Sequence, residues 1–395
     1  MLMKLIICLI YNDGKMKKRY NENNNRIYVC HTFYHVYVAC LKELGQFRNP
    51  ANKDKEFVPK ATLVLSKMSN NFCDLAARAK ESGIFKDVIE FDEKDYTFFP
   101  ELIELKKDRG SSLKNLLQRI KFCKRMGQLE EEYVPVDFRN YEDIYVFCDS
   151  DPIGYYLAYK KIRYHAVEDG LNCLIYRDTA YEDNKGNFKI KKLMAALGII
   201  FIQNGYSKYC IDMEVNDSMV LNRPIPKLVE VEREWLIQGL TDKDKEIITK
   251  MFIANIDELS SKLASSKASG KPIVLILSEP LCQDLEVRKK LFKDMISEHG
   301  NVDGKEAQIV IKPHPRDLLD YEKEFSEHII LDSHFPMEIL NFIGAEFDKV
   351  VTVYTVPSSI HCAKEKVYLG NDWMDRYEDP SLHAKVSNAG MKVTK

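Results

Sequence analysis

Short apolar runs rich in β-branched residues alternate with longer segments of helical periodicity over most of the chain. In the first half this pattern predicts strands at 27–30, 61–66, 88–91, 143–147 and 164–167, and helices at 33–44, 71–82, 102–126 and 152–161. In the second half it predicts strands at 272–277, 329–331, 349–353 and 366–369, a strand that ends at His314, a helix at 285–298, and helices after Pro336 and from Pro357. Such alternation is typical of parallel α/β sheets.

A change of composition at 260–271, which is rich in Ser, Ala, Lys and Gly, directly precedes the apolar strand 272–277 and predicts a domain boundary. The fold class that we predict is α/β, with two Rossmann-like domains facing each other across a cleft. The polar stretch 12–26 predicts a disordered leader. The predicted divisions are a leader at 1–25, a first domain at 26–265, a second domain at 270–375 and a C-terminal tail at 376–395.

The composition is that of a soluble globular enzyme, with 395 residues of which 45% are hydrophobic and 30% charged. The formal net charge of −2 gives no reason to expect a nucleic-acid partner. Basic clusters at 121–125 and 189–192 leave two interpretations open, a solvated helix surface or peripheral contact with an anionic membrane face. The apolar run 2–11 is too short to span a bilayer and lacks the cleavage site of a signal peptide.

The ten cysteines follow no paired spacing, and several lie inside apolar runs. This pattern indicates reduced, buried thiols, so we expect a cytoplasmic protein. No Cys-x-x-Cys pair is present in the sequence, which argues against a zinc ribbon or a thioredoxin-type site.

The segment Lys-Pro-His-Pro ends an apolar β-prone run and places His314 at the tip of a strand. Pro313 and Pro315 restrict the backbone on both sides, so the imidazole leaves the sheet in a defined direction. Ligands bind at the carboxyl ends of strands in open α/β sheets. A histidine there can donate to a phosphate, shuttle a proton or ligate a metal. Metal ligation is the least favoured role, because no His or Cys cluster with ligand spacing surrounds it.

Two further polar groups follow predicted strands. Glu168-Asp169-Gly170 comes directly after 164–167, and repulsion between neighbouring carboxylates can raise one pKa into the range of a general base. Ser358-Ser359 opens a predicted helix, where hydroxyls and free backbone N–H groups bind anions. Each group alone is a common loop or helix-cap feature, and it is their joint occurrence at strand ends that favours a site.

The order Glu168-Asp169-Gly170, His314-Pro315, Ser358-Ser359 resembles the three motifs of bacterial sialyltransferases of the GT-B type. The chain is most similar to glycosyltransferase family 52, which includes lipooligosaccharide and capsular polysaccharide sialyltransferases. The resemblance extends to 30–32, which is similar to the first strand end of the family, and to 275–280, which is similar to the opening of its second domain.

The resemblance implies a role for each motif residue. Glu168 is the implied general base with Asp169 as its support, although the two can exchange roles. His314 contacts the phosphate of CMP-N-acetylneuraminate and assists the departure of CMP. The other implied contacts of the CMP phosphate and ribose are Ser358, Ser359, Pro315, Lys312 and Glu338, and the acceptor-side candidates are His31, Thr32 and His35.

The implied reaction is inverting transfer of sialic acid from CMP-N-acetylneuraminate to a terminal galactose of a capsule or lipooligosaccharide, with 2,3 linkage expected. We expect no cofactor and no metal, and a homodimer is compatible with this branch of the family. Asp149-Ser150-Asp151 could be taken for the metal-binding Asp-x-Asp of GT-A enzymes, but Pro152 makes a helix start the favoured interpretation. Two alternatives stay open: another GT-B-like transferase, of polysialyl or polyol-phosphate groups, and a non-catalytic nucleotide-binding subunit of polysaccharide assembly.

Overall fold

The computed structural model describes residues 10–12, 15–17, 24–46, 57–170, 174, 178–219, 221, 223–355 and 357–382. The chain forms two compact units, residues 1–244 and 245–395. Each unit contains a parallel sheet with helices, so the α/β class and the two Rossmann-like domains of the GT-B-like prediction are confirmed. Among the described residues, no helix combines the length and the apolar character needed to cross a bilayer.

An antiparallel pair of short strands precedes the first sheet, β1 (Ile10–Asn12) and β2 (Lys15–Lys17). These residues lie in the leader that was predicted to be disordered, and the disorder of the leader stays a prediction. Most of the rest of this leader lies outside the described residues.

The first unit is built on seven parallel strands. They are β3 (Arg26–Cys30), β4 (Ala61–Ser66), β5 (Asp87–Phe91), β6 (Asp143–Phe147), β7 (Tyr164–Val167), β8 (Cys210–Val215) and β9 (Leu228–Glu230). Their order in the sheet is β5-β4-β3-β6-β7-β8-β9. The chain therefore reverses its direction of sheet growth between β3 and β6, and a doubly wound sheet binds its ligand outside the strand ends at that point.

The helices of the first unit are α1 (Phe33–Leu41), α2 (Leu75–Glu81), α3 (Pro100–Leu105), α4 (Ser112–Glu130), α5 (Pro152–Lys160), α6 (Thr179–Glu182), α7 (Phe188–Leu197) and α8 (Arg233–Gln238), with α9 (Asp242–Phe252) crossing into the second unit. The single helix predicted at 102–126 is wrong, because α3 and α4 are separate. The break contains Gly110, whose φ of 70° is left-handed. The Asp108 carboxylate accepts a hydrogen bond from the Gly110 N–H at 2.8 Å and so stabilises the turn.

Buried ion pairs hold α1 and its continuation against the sheet. The helix runs on as a π-helix (Lys42–Gln46), in which Glu43 accepts hydrogen bonds from Arg26 Nε at 2.7 Å and from Tyr28 Oη at 2.6 Å. Lys42 Nζ lies 2.5 Å from Glu214 Oε2 on β8, and both side chains are fully buried. Since an unpaired buried charge is costly, these pairs constrain where α1 can lie.

The second unit carries five parallel strands and a separate antiparallel hairpin. The sheet strands are β10 (Ile273–Leu277), β13 (Gln308–Lys312), β14 (Ile329–Ile330), β15 (Phe347–Thr352) and β16 (Ala363–Tyr368), and the hairpin is β11 (Asn301–Val302) with β12 (Lys305–Glu306). The sheet order is β14-β13-β10-β15-β16, so the reversal falls between β10 and β15. The helices are α10 (Ile256–Ala268), α11 (Leu285–His299), α12 (Tyr321–Glu324) and α13 (Gly370–Met374), with 3₁₀ turns at Met337–Phe342 and Pro357–Ser359.

The division between the units differs from the predicted boundary. It lies between Asp244 and Lys245, whereas the Ser- and Lys-rich stretch at 260–271 is largely the helix α10. Leu259 and Leu263 form the buried face of this helix. On its exposed face Ser261 and Ser265 each donate a hydroxyl to the carbonyl four residues earlier, which lets a polar, linker-like composition remain helical.

The beginning of the predicted C-terminal tail packs on the second unit. Arg376 forms an ion pair with Glu298 at 2.5 Å, and Tyr377 Oη donates to Asp294 Oδ2 at 2.9 Å. Both partners belong to α11. The tail from residue 383 onward lies outside the described residues.

Candidate functional site

The candidate site of the first unit lies where the sheet reverses its direction of growth. His31 and Thr32 follow β3, Cys148 follows β6, and Glu168 with Asp169 follows β7. Thr32 is the N-cap of α1, and its Oγ1 accepts a hydrogen bond from the His35 backbone N–H at 3.2 Å. This cap sets the start of α1 and thereby brings His35 back over the strand ends.

His35 and Asp169 form a hydrogen-bonded pair whose proton position is defined by a neighbouring backbone group. His35 Nε2 lies 2.5 Å from Asp169 Oδ1, and His35 Nδ1 accepts a hydrogen bond from the His31 backbone N–H at 3.0 Å. Because Nδ1 is an acceptor, a neutral His35 carries its proton on Nε2 and donates it to Asp169. Burial lowers the pKa of His35, against the attraction of Asp169, which favours this neutral form.

The Asp169 carboxylate is both ionised and accessible. Burial pushes the pKa of Asp169 upward, but the electrostatic attraction of the His35 Nε2–H group and its hydrogen bond outweigh that effect, so this pKa lies below its usual value. Its side chain is 39% exposed, whereas that of His35 is completely buried. The His35 ring is also stacked on Phe147 with 4.6 Å between ring centroids, which fixes its plane. Together these contacts hold the Asp169 carboxylate in a fixed position at the strand ends, where it is accessible to solvent.

Glu168 has the opposite environment. Its side chain is fully buried, and Oε1 lies 3.4 Å from Nη2 of Arg233, which is itself buried. Burial raises the pKa of Glu168, and the positive charge of Arg233 opposes that rise. Within the described part of the chain, Oε2 of Glu168 has no hydrogen-bond partner. The assignment of Glu168 as the base therefore stays a prediction. The geometry favours the alternative in which Asp169 is the base and Glu168 its support.

His31 connects several strand ends beneath the site. Its Nε2 lies 2.7 Å from Glu93 Oε2 and 3.4 Å from Asp151 Oδ2. Burial would lower the pKa of His31, but these two carboxylates raise it to about 9. Glu93 also accepts hydrogen bonds from Ser66 Oγ at 2.5 Å and from the Ile153 N–H at 2.8 Å. Sequence reasoning missed Glu93, although an acidic residue just after a strand was the signal that identified Glu168 and Asp169.

The Asp149-Ser150-Asp151 segment is a helix start, as predicted. Asp151 is the N-cap of α5, and Pro152 is its first residue. Asp149 is buried and accepts hydrogen bonds from Tyr164 Oη at 2.9 Å and from the Asn204 N–H at 3.0 Å. These partners give Asp149 a structural role in the first unit.

Among the residues that the structure describes, two side-chain clusters have donor atoms within 4.8 Å of one another, and neither fits a metal ion as arranged. The first cluster consists of His35, Cys148 and Asp169. A metal bound to His35 Nε2 would require a proton on Nδ1, but Nδ1 accepts a hydrogen bond from the His31 backbone N–H. In His165, Asp212 and Glu214, all three side chains are buried, and Glu214 already pairs with the Lys42 ammonium.

In the second unit, His314 follows β13 and is held by its own loop. Its backbone N–H donates to Ser278 Oγ at 3.0 Å, and its Nδ1 accepts the Arg316 N–H at 3.1 Å. Burial, followed by the charges of Arg316 and Lys312, lowers the pKa of His314 to about 3. His314 is therefore neutral at pH 7 with its proton on Nε2, which makes Nε2 a hydrogen-bond donor.

Lys312 and Pro315 flank this histidine. Lys312 is buried, and its Nζ donates to the carbonyls of Pro313 at 2.9 Å and Ser333 at 3.1 Å. Burial lowers the pKa of Lys312 to about 7. The ammonium is thus anchored behind the loop, while Pro315 is half-buried next to His314.

The structure also brings Glu338 and Ser359 of this unit together. Ser359 Oγ lies 3.5 Å from Glu338 Oε1, and Asn341 Nδ2 donates to the Ser359 carbonyl at 2.7 Å. Burial raises the pKa of Glu338. Ser358 belongs to the same 3₁₀ turn, but its side chain lies outside what the structure describes.

Sequence reasoning missed a second carboxylate, Glu279, which directly precedes Pro280 in the segment after β10. Its oxygens accept hydrogen bonds from the backbone N–H groups of Tyr354 at 3.0 Å and Thr355 at 2.5 Å. Burial raises the pKa of Glu279. The contact ties the end of β10 to the loop that leads into the Pro357–Ser359 turn, across the point where this sheet reverses its growth.

Several known structures are similar to this chain at low identity. An α/β-galactoside α-2,3-sialyltransferase from Photobacterium phosphoreum is 12% identical with a TM-score of 0.45, covering 92% of this chain and 96% of its own. The GT-B domain of a sialyltransferase from Photobacterium damselae is 10% identical with a TM-score of 0.43, covering 87% and 99%. A UDP-GlcNAc 2-epimerase from Neisseria meningitidis is 10% identical with a TM-score of 0.44, covering 94% of both chains.

Sequence comparison gives a relative and a family. An uncharacterized protein of Haemophilus influenzae is 29% identical over 171 residues, which are 42% of this chain and 51% of that protein. The chain thus spans about half the length of the curated relative that it matches. The profile of glycosyltransferase family 52 matches residues 85–367, a range that begins just before β5 and ends in β16. Since this range includes most of both units, the chain belongs to glycosyltransferase family 52.

Proposed function

We propose that this chain is an inverting sialyltransferase that moves N-acetylneuraminate from CMP to a terminal galactose hydroxyl of a bacterial capsule or lipooligosaccharide. The linkage we propose is α-2,3, and the reaction needs no metal or other cofactor. Membership of family 52 supports the class of reaction. The observation that carries the proposal is the accessible, ionised Asp169, which accepts a hydrogen bond from His35 at a strand end.

In this reaction Asp169 is the base and Glu168 is not. The acceptor hydroxyl donates its proton to the Asp169 carboxylate while its oxygen bonds to the anomeric carbon and the bond from that carbon to the CMP phosphate oxygen breaks. Attack from the face opposite the leaving group inverts the configuration. Because a carboxylate of lowered pKa is a weak base, the proton moves as the new bond forms and the hydroxyl becomes acidic.

The second unit binds the CMP part of the donor. His314 donates from Nε2 to a phosphate oxygen, and Ser358, Ser359 and the N–H groups of their turn bind the same phosphate, while Glu338 binds the ribose hydroxyls. A CMP leaving group carries one phosphate, so uncharged donors suffice to stabilise the charge that develops on it. Removal of one such donor typically costs about 10²–10³-fold in turnover.

A cytoplasmic location is part of the proposal, as is the use of a galactose-terminated glycan. All eight cysteines among the described residues are free, which fits a reducing compartment. The assignment of the donor and acceptor rests on the family and on the motif residues.

The reaction itself gives the first prediction. Incubation of the full chain with CMP-N-acetylneuraminate and a β-galactoside releases CMP and forms a sialylated product, with equal rates before and after treatment with EDTA. Product linkage is read by NMR, with the 2,6-linked isomer as the reference compound. Absence of turnover with every galactoside tested, or loss of activity on chelation, contradicts the proposal.

The roles of the two neighbouring carboxyls give the second prediction. Asp169→Asn lowers kcat by about 10²–10⁴-fold, because it removes the proton acceptor, and leaves CMP affinity unchanged. Glu168→Gln is the matched control: it keeps the size of the side chain and retains most of the activity. Steady-state kinetics and CMP titration calorimetry measure both effects. The reverse pattern, in which only Glu168→Gln is inactive, assigns the base to Glu168.

The His35–Asp169 hydrogen bond predicts a pH effect. Activity falls as the pH drops through the pKa of Asp169, since the base becomes protonated. The pKa of Asp169 is held down by His35, so His35→Ala raises it and moves the acid limb of the kcat/KM profile to higher pH. His35→Gln, which can still donate a hydrogen bond, restores part of the shift, and His328→Gln in the second unit leaves the profile unchanged. An acid limb that does not move in His35→Ala refutes this role.

A further inference from the structure

Helix α7 (Phe188–Leu197) exposes a row of large apolar side chains on the surface of the first unit. Ile190, Leu193 and Leu197 are 56%, 61% and 57% exposed, and their spacing of three and four residues places them on one face. The other face is used for packing, because Ala195 is buried and Phe188 and Met194 contact the core. The exposed row is therefore a second apolar face that nothing in the described chain covers.

The flank of this apolar row is basic. Lys189 is exposed next to the row, Lys192 is exposed further round the helix with its Nζ 5.6 Å from the centroid of the Tyr206 ring, and α7 contains no acidic residue. Neither lysine forms an ion pair within the described residues, whereas lysines on other helices pair with carboxylates, as Lys250 does with Glu246 and Lys262 with Glu258. The chain as a whole has a net charge of −2, so the positive charge of Lys189 and Lys192 is confined to this part of the surface.

Helix α4 adds positive charge next to this segment. Its Arg119 Nη2 donates to the carbonyl of Phe201, which follows α7, at 3.2 Å. Further along α4, Lys121 and Lys124 are exposed, and the only acidic residue of that helix is its last, Glu130. Helix α4 is therefore a second basic helix of the first unit.

We propose that the exposed face of α7 docks on an anionic lipid bilayer, with Ile190, Leu193 and Leu197 in the interface and Lys189 and Lys192 at the level of the lipid phosphates. A helix with an apolar row and flanking lysines is suited to lie in the plane of a membrane surface. Soluble monomers rarely leave large contiguous apolar patches uncovered, so the face needs an occupant. A lipid surface supplies both of the properties that the face requires, an apolar interior and negative headgroups.

A second copy of this chain fits the face less well. In a two-fold dimer the same patch meets itself, so the lysines of one copy would face those of the other. Like charges brought together in this way repel, and the face carries no acidic residue to compensate them. The docking is independent of the transfer reaction, since it requires neither the donor nor the acceptor.

The test is sedimentation of the full chain with sucrose-loaded vesicles of phosphatidylcholine, with and without phosphatidylglycerol. The chain binds the vesicles that contain phosphatidylglycerol and not those of phosphatidylcholine alone, and added salt weakens the binding. Lys189→Glu/Lys192→Glu reduces binding by at least about fivefold for each lysine lost. Ile190→Ser/Leu193→Ser also reduces binding, because it removes the apolar contact. The matched controls are Lys305→Glu on β12 and Val58→Ser, an exposed apolar residue of the first unit, and both bind as the parent chain does.

Circular dichroism and thermal unfolding of every variant separate loss of docking from loss of folding. Equal binding of all variants overturns the proposal, as does binding that depends on the lysines but not on Ile190 and Leu193. Absence of binding to any vesicle, together with a dimer in sedimentation velocity that Ile190→Ser/Leu193→Ser dissociates, assigns the face to a second copy instead. None of these outcomes bears on the transferase proposal, because no substrate is present in the assay.

Discussion

The hydrogen bond from the His31 backbone N–H to His35 Nδ1 is the interaction on which the proposed chemistry depends. It occupies the one ring nitrogen of His35 that could otherwise carry the proton, so the proton lies on Nε2 and is donated to Asp169. That donation keeps Asp169 ionised although its surroundings favour the neutral acid. The bond itself exists because Thr32 caps α1 and because buried ion pairs hold the end of that helix against the sheet.

A backbone N–H also donates to a histidine Nδ1 in the second unit. His314 Nδ1 accepts the Arg316 N–H, which leaves Nε2 as a neutral donor at the end of β13. In both units a backbone amide decides the tautomer, and the side chain that results is a hydrogen-bond donor directed at an anion or at the place proposed for one. Neutral donors of this kind avoid the cost of burying a charge while still stabilising negative charge. The buried basic side chains of His31 and Lys312 already have partners, a carboxylate for His31 and backbone carbonyls for Lys312.

Much of the fold could be predicted from sequence because a buried parallel strand is a short apolar run, and every predicted strand is present. The location of Asp169, His314 and Ser359 at strand ends followed from the same pattern. Which of Glu168 and Asp169 is accessible could not be predicted, since it depends on contacts with Arg233 and His35 that are distant in sequence. Composition also gave the wrong domain boundary, because serine hydroxyls that bond to helix carbonyls allow the linker-like segment to form α10. Glu279 was missed because its hydrogen-bond partners are backbone groups of a loop about 75 residues away.

The most direct test of the central claim is the protonation state of His35 in solution. Long-range ¹H–¹⁵N correlation NMR of the full chain labelled at histidine, assigned with His35→Gln, distinguishes the two neutral tautomers and the imidazolium. The account predicts a neutral His35 with its proton on Nε2 at pH 7, and a change in that signal when Asp169 is replaced by Asn. A proton on Nδ1, or an imidazolium at pH 7, would contradict it.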